Sequence, residues 1–377
     1  MGCSSTNLKD LKPIIITSLN HVFDCDFKGK SIILLKDQRI ASHNGKNKIF
    51  IYSLNIKTKK WNLDFVKKII SEGECETIYS ICQLDNEKLV TTYHAHIAPD
   101  QPFKRIEEED EEDDDDGFEQ MNIHSEFQSF DRVHIWKLTK DQFILEQKIQ
   151  LKVLIMYAAP ITNGFALYCP LNEIQIFKEK NNSYEIDMTL EDVGDGVCSL
   201  IQLRNKKEIV TTGVFDKTNK HIYDRFISFW DSKSYQKKYT IMGYGAISPK
   251  QMVELYDEKI AVSCDYSQVK PDEIKKDSFI ILIDPTNYNI LKKIESKELI
   301  THGFELFPLD YFSFVAVKDG MFLQISSKQF EIVYSEKSAE EYSGSVIVIL
   351  ERQYVVIQNE RNKQFSVFKI LSEEKKK

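Results

Sequence analysis

Asp224-Arg225-Phe226-Ile227-Ser228-Phe229-Trp230-Asp231 is the stretch that decides the fold. A turn residue opens it, an alternating run follows, and six residues later an aromatic anchor closes it. Two β-rich runs precede it, Val197 to Leu203 and Glu208 to Thr212, and one follows, Lys237 to Ile241. Short runs of this kind, bounded by Asn, Asp, Gly and Lys clusters, read as strands. The same event occurs seven times. The anchors are Tyr52, Trp136, Phe177, Trp230, Ile283, Ile325 and Phe368, at intervals of 84, 41, 53, 53, 42 and 43 residues. The paired turn residues are Asn47, Asp131, Asn172, Asp224, Asp277, Asp319 and Asn362. A period in the forties marks a repeat architecture.

Other units follow the same order. Ile78 to Leu84, Lys88 to Thr92 and Arg132 to Trp136 begin one; Met252 to Leu255, Lys259 to Cys264 and Ser278 to Ile283 begin another. Phe304 to Leu306, Phe312 to Val317 and Met321 to Ile325 follow, then Ser345 to Leu350, Gln353 to Gln358 and Gln364 to Phe368. Weaker units start near Ser31 and Val153. The long interval holds no eighth unit, because 92–136 is one polar stretch without a strand pair. Trp230-Asp231, with Asp224 six residues before the Trp, resembles the third strand of a WD-repeat blade. Asp131-Arg132-Val133-His134-Ile135-Trp136 resembles the same element one residue shorter. The resemblance runs from about Ile14 to Leu371. It implies an all-β, seven-bladed β-propeller of four-stranded antiparallel blades. A kelch-type blade has no paired-glycine signature here to support it.

One four-stranded unit cannot bury both its faces, so units stack radially and cover one another. The last unit has no fourth strand after Leu371. Pro13-Ile14-Ile15-Ile16-Thr17 precedes the first unit without a partner. This N-terminal strand is expected to complete the last blade and close the ring, leaving no free edge. The domain reading is a tail over 1–12, a propeller over 13–371 and a charged tail over 372–377.

At 377 residues, 42% hydrophobic and 29% charged, the chain has a folded protein's composition. Its longest apolar runs, such as Val346 to Leu350, are strand-length and far below the roughly 20 residues of a spanning helix. The net charge of −8 is local. Glu107, Glu108, Glu109, Asp110, Glu111, Glu112, Asp113, Asp114, Asp115 and Asp116 are consecutive, and the rest carries 50 basic against 48 acidic residues. No large basic patch is visible, which argues against a nucleic-acid partner. Seven cysteines without a Cys-x-x-Cys pair read as reduced thiols in a cytosolic setting. The Asn181-Asn182-Ser183 sequon is then silent.

Two features are not scaffold. Met1-Gly2-Cys3-Ser4-Ser5-Thr6 fits N-myristoylation at Gly2, with Cys3 placed for palmitate. Two acyl chains anchor stably where one does so marginally. The stretch 94–130 holds Pro99, Pro102 and the acidic run. It reads as a disordered insertion between second and third strands, either a tolerated loop or a docking arm for a basic partner. In the family this chain resembles, second-to-third and fourth-to-first connections share one face. The arm is then expected on that face and the N-terminal tail on the opposite one.

Catalytic patterns are missing. His94-Ala95-His96 lacks a third spaced ligand. Gly194-x-Gly196 and Gly243-x-Gly245 lack a third glycine and a helix. His21, His43, His134, His221 and His302 are scattered. No catalytic residue, cofactor or metal is expected. The expected function is a non-catalytic protein-interaction scaffold, acylated at Gly2 and Cys3, on the cytosolic face of a membrane. Its partners are proteins, one with a basic surface for residues Glu107 to Asp116. The alternatives are a soluble propeller subunit of a cytoskeletal or ciliary assembly, and a propeller enzyme with channel carboxylates. Closure is testable: deleting residues 13–19 should sharply lower the melting temperature, and an unchanged melt rejects it.

Overall fold

The computed structural model describes residues 16–28, 31–43, 48–55, 60–68, 75–96, 129–139, 142–151, 157–168, 173–191, 193–194, 196–216, 223–246, 251–265, 278–297, 303–318, 320–337, 342–349, 354–359 and 364–372. These residues form strands and tight turns. After β1 (Ile16–Lys28) comes sheet I: β2 (Ser31–Leu34), β3 (Ile40–His43), β4 (Lys48–Asn55) and β5 (Lys60–Lys68). Sheet II is β6 (Cys75–Gln83), β7 (Leu89–His96), β8 (Ser129–Leu138) and β9 (Phe143–Leu151). Sheet III is β10 (Tyr157–Ile161), β11 (Gly164–Tyr168), β12 (Ile174–Lys180) and β13 (Ser183–Leu190). Sheet IV is β14 (Gly196–Gln202), β15 (Glu208–Asp216), β16 (Tyr223–Asp231) and β17 (Lys237–Met242). Sheet V is β18 (Met252–Glu254), β19 (Ile260–Asp265), β20 (Ser278–Asp284) and β21 (Asn289–Ile294). Sheet VI is β22 (Glu305–Pro308), β23 (Ser313–Lys318), β24 (Met321–Ser326) and β25 (Glu331–Lys337). The last, sheet VII, is β26 (Tyr342–Ile349), β27 (Tyr354–Asn359) and β28 (Gln364–Ser372), with β1 as its fourth strand.

Each sheet is an antiparallel meander in chain order, and sheet VII is the exception that joins the two ends of the chain. Ile16 pairs with Ser372 and Lys28 with Gln364. Within the described residues the closing strand runs from Ile16 to Lys28; the expected start over 13–15 lies outside them. Asp131 and Asp224, expected in turns, lie inside β8 and β16, opposite His94 and Phe215. The other five expected turn residues lie outside the described residues. Strands β7 and β8 reach His96 and Ser129, so the connection expected over 94–130 narrows to 97–128, which is not described.

The expectation of seven blades needs correction. Four-stranded sheets number seven, but buried apolar side chains among the described residues gather into six cores, not seven. Each core fills one junction between successive sheets, from I–II to VI–VII. The junction between sheets VII and I, where β26 runs beside β2, has no such core among the described residues. Counted by packed core among the described residues, the blades therefore number six and not seven.

Alternation explains the long apolar runs. In β20, Phe279, Ile281 and Ile283 pack toward sheet IV, and Ile280 and Leu282 toward sheet VI. A strand covered on both faces needs apolar residues at every position. Fourth strands are covered on less of their surface and alternate, as in β25, where Glu331, Val333, Ser335 and Lys337 are exposed. Six anchors face the preceding sheet: Trp136, Phe177, Trp230, Ile283, Ile325 and Phe368 all sit in the core on that side. Beside each of the seven, the ladder to the fourth strand shifts by one residue. The extra residue sharpens the twist, which lets the outer strand curl around a wide side chain. Both tryptophans also satisfy their indole N–H: Trp136 donates to Thr91 Oγ1 at 2.9 Å and Trp230 to Thr211 Oγ1 at 3.0 Å.

Polar latches tie successive sheets at the end where first strands turn into second strands. The last residue of a first strand accepts a backbone N–H from the preceding sheet. Gln83 accepts from Lys36 at 2.8 Å, Gln202 from Thr162 at 2.5 Å and Glu254 from Arg204 at 2.7 Å. At the opposite end, second-strand hydroxyls accept from the chain that follows their own sheet: Thr212 from Ala246 N and Ser263 from Phe304 N, both at 2.8 Å. The latches range from exposed at Lys36 to buried at Ala246 and Phe304, where the backbone donor would otherwise be left without water.

Among the titratable groups of the core is an imidazole. His134 on β8 is 3% exposed, lies 4.5 Å from the Tyr93 ring, and meets Trp136 edge-on. Neither ring nitrogen has a hydrogen-bond partner among the described residues. Burial, then the Lys148 and Arg132 charges, push its pKa down to about 4. As pH falls below the ordinary value of 6.5, the unfolded chain takes up a proton that the folded chain refuses. Stability present above that value is therefore lost toward pH 4, by about 3 kcal/mol. Melts of the wild type should fall across this window more steeply than those of His134→Phe; equal slopes reject the assignment. For the latches, Gln202→Leu should destabilise by about 1–3 kcal/mol in denaturant titration, because Thr162 N–H loses its acceptor.

Candidate functional site

The first strands line a central channel, and a cavity of about 620 Å³ occupies it. Its wall takes side chains from six sheets: Ile33 and His43 from I, Thr77 and Tyr79 from II, Tyr157 and Tyr168 from III, Ser199 and Ile201 from IV, Val253 from V, and Glu305 and Phe307 from VI. Small and β-branched residues share the wall with larger ones such as Tyr79, Tyr157, Tyr168 and Phe307. Tyr157 and Tyr168 stack at 5.6 Å. Burial pushes both phenols up, Tyr168 well above its ordinary value, so both stay protonated.

Among the described residues the wall holds one carboxylate, Glu305, and one imidazole, His43, on different sheets. Acid–base catalysis needs groups within hydrogen-bond reach of one reacting atom. The nearby thiols are not activated either. Burial drives Cys82 up to about 12 and raises Cys198, where Arg225 opposes the rise in part. The thiolate is the nucleophilic form, so burial disfavours attack by either cysteine. The described channel suits apolar or hydroxyl contact with a ligand and shows no pair of groups arranged for bond cleavage.

The turn face carries more charge. Leu35 to Arg39, Leu84 to Lys88, Leu203 to Glu208 and Leu255 to Lys259 form one repeated turn. The N–H of Leu35, Leu84, Leu203 and Leu255 donates across the turn at 2.7–2.9 Å. A side chain inside each turn, Asp37, Asn86, Asn205 or Asp257, accepts a backbone N–H two residues on. Gln38, Glu87, Lys206 and Glu258 take positive φ, from 59° to 71°. On this face Glu208 is buried and receives Lys238 at 2.8 Å and the Tyr288 hydroxyl at 2.7 Å. Between sheets II and III, Lys88 bridges Glu146 at 2.9 Å and Glu179 at 2.8 Å. These pairs raise the Lys88 pKa and lower that of Glu179.

The expected site residues are not brought together. Gly2, Cys3 and Glu107 to Asp116 lie outside the described residues. His94 and His96 are placed by backbone only, opposite Asp131 and Ser129. The basic patch that the sequence does not show is present. Arg204, Lys206, Lys207, Lys233, Lys237 and Lys238 converge as exposed cations from two turns of sheet IV. The repeated Leu-x-Asn/Asp turn and the Gln or Glu before its Leu are the signals that would have located this face.

No protein-family model matches the chain, and no curated protein sequence matches it. Solved structures do match. The Cps50 (Swd1) β-propeller domain of Myceliophteria thermophila aligns with a TM-score of 0.62 at 8% identity, over 94% of this chain and 100% of that one. A chain of the mitotic checkpoint complex aligns with a TM-score of 0.60 at 7% identity, over 99% of this chain and 97% of that one. At such identities the likeness is one of fold. The structural neighbours are WD40 propellers, and this chain shares their architecture of radially stacked, four-stranded antiparallel sheets.

Proposed function

We propose that the chain is a non-catalytic protein-interaction scaffold, tethered to the cytosolic face of a membrane by acyl groups on Gly2 and Cys3. The observation that carries the scaffold reading is the channel wall, in which one carboxylate and one imidazole stand on different sheets among apolar and hydroxyl groups. Latches at both ends of the sheets give a rigid ring that presents turns and outer strands as fixed surfaces. One neighbour of the same fold is part of a multi-protein complex, which agrees with this use of the architecture.

The tether rests on Met1-Gly2-Cys3-Ser4-Ser5-Thr6. A tether on the turn side agrees with β1, in which Ile16 pairs with Ser372 at the end of the sheet where the tight turns lie. The tail then leaves from the turn face, opposite the connection that holds the acidic run. On this reading Glu107 to Asp116 serve a basic partner on the cytosolic side.

Affinity capture from the native cell, comparing the intact chain with Gly2→Ala, tests both parts. Membrane proteins that dominate the intact capture and vanish with Gly2→Ala support the tethered scaffold. The same soluble set in both captures rejects the tether and makes the chain a soluble subunit. Recovery of no protein partner by either form rejects the scaffold.

A further inference from the structure

We infer that the turn edge of sheet IV is a contact surface for the anionic headgroups of a lipid bilayer. The inference rests on the tethered reading for its orientation and on the charge of this edge for its chemistry. Arg204, Lys206, Lys207, Lys233, Lys237 and Lys238 are all exposed there. Glu254 of sheet V pairs with Arg204 at 3.7 Å, and within the two turns Glu208 and Asp231 oppose the cations. Glu208 is buried, and Lys238 already reaches both, at 2.8 and 3.9 Å. Lys206 reaches Asp85 of sheet II at 3.4 Å, and Lys237 lies over the Trp230 ring at 4.8 Å. No ion pair of Lys207 or Lys233 is found among the described residues.

The repeated turn does not need these cations. Its geometry is served by Leu203, which donates across the turn, and by Asn205, which accepts from Lys207 N–H at 2.9 Å. Equivalent turns in other sheets mix signs: Lys36, Asp37 and Arg39 in sheet I, Asp85, Glu87 and Lys88 in sheet II, Asp257, Glu258 and Lys259 in sheet V. Sheet IV alone among these has Arg-Asn-Lys-Lys. The excess is therefore not a consequence of folding.

Its position selects the occupant. The edge lies on the face where the described part of β1 starts, at Ile16. The ten consecutive acidic residues belong to the connection between β7 and β8, at the opposite end of sheet II. An anionic bilayer on the turn side attracts the first group and is kept away from the second. A basic surface near an anionic leaflet adds attraction for each Lys or Arg, and one acyl chain plus such a patch anchors stably. A contact at a turn edge suits a planar surface, which reaches turn tips without entering a groove.

Sedimentation with vesicles tests this, using unacylated full-length chain and vesicles of phosphatidylcholine alone or with 30% phosphatidylserine. Binding should require phosphatidylserine and weaken as salt rises. The double variant Lys207→Glu with Lys233→Glu should cut the affinity at least tenfold. The control pair Lys137→Glu with Lys328→Glu, exposed lysines in sheets II and VI, should change it less than twofold. No dependence on phosphatidylserine, or equal losses in the two pairs, overturns the proposal. So does tighter binding of a labelled soluble peptide of sequence 107–116 that is lost with Lys207→Glu and Lys233→Glu, since the edge then takes acidic protein segments. The capture experiment reads Gly2 and not this edge, so the two ideas fail separately.

Discussion

The structure depends on one constraint: a twisted four-stranded sheet has two apolar faces and no means of covering either by itself. Every other feature answers that need. The middle strands are apolar at successive positions because each has a neighbour on both sides, as Phe279 to Ile283 show. The anchors are wide because they span the gap to the preceding sheet. The latches exist because stacking sheets removes water from turn N–H groups, which then need acceptors from the next sheet. Gln83, Gln202 and Glu254 supply them from equivalent positions in three sheets.

Stacking also separates structural from functional chemistry. Groups inside the junctions are fixed and neutral: His134 is held uncharged, Cys82 is a buried thiol, and Tyr168 keeps its proton. Charge is displaced to turns and outer strands, where it is free to differ from sheet to sheet without disturbing the packing. Function in such an architecture is therefore written on turn tips, and sheet IV carries the most uneven charge found there.

The anchors were legible because a large residue at a regular interval survives loss of sequence identity: its role is volume, which many side chains supply. The closing strand was legible from a β run without a partner at one end and a unit short of a strand at the other. The turn chemistry was harder to see. Asp131 and Asp224 carry the turn-forming residue type, yet both lie within long strands, where ladder pairing overrides local preference. The true repeated turn, Leu-x-Asn/Asp, places non-glycine residues at positive φ and so hides behind charged side chains such as Lys206 and Glu258. The basic edge was illegible for a different reason. Its halves are separate in sequence, 204–207 and 233–238, and only the meander of sheet IV makes them neighbours. The six packed cores were beyond reach as well, since spacing counts strands and not the junctions between them.

Sheet VII has a consequence in time. Its fourth strand is β1 and its third is β28, at opposite ends of the described chain. A ribosome adding roughly 5–20 residues per second leaves β1 waiting on the order of tens of seconds for its partner. Through that interval sheets I to VI can assemble in order, while β1 stays an unpaired strand joined to sheet I by a short link. A nascent-chain factor that binds extended β segments has its natural substrate there, and ring closure becomes the last event of synthesis.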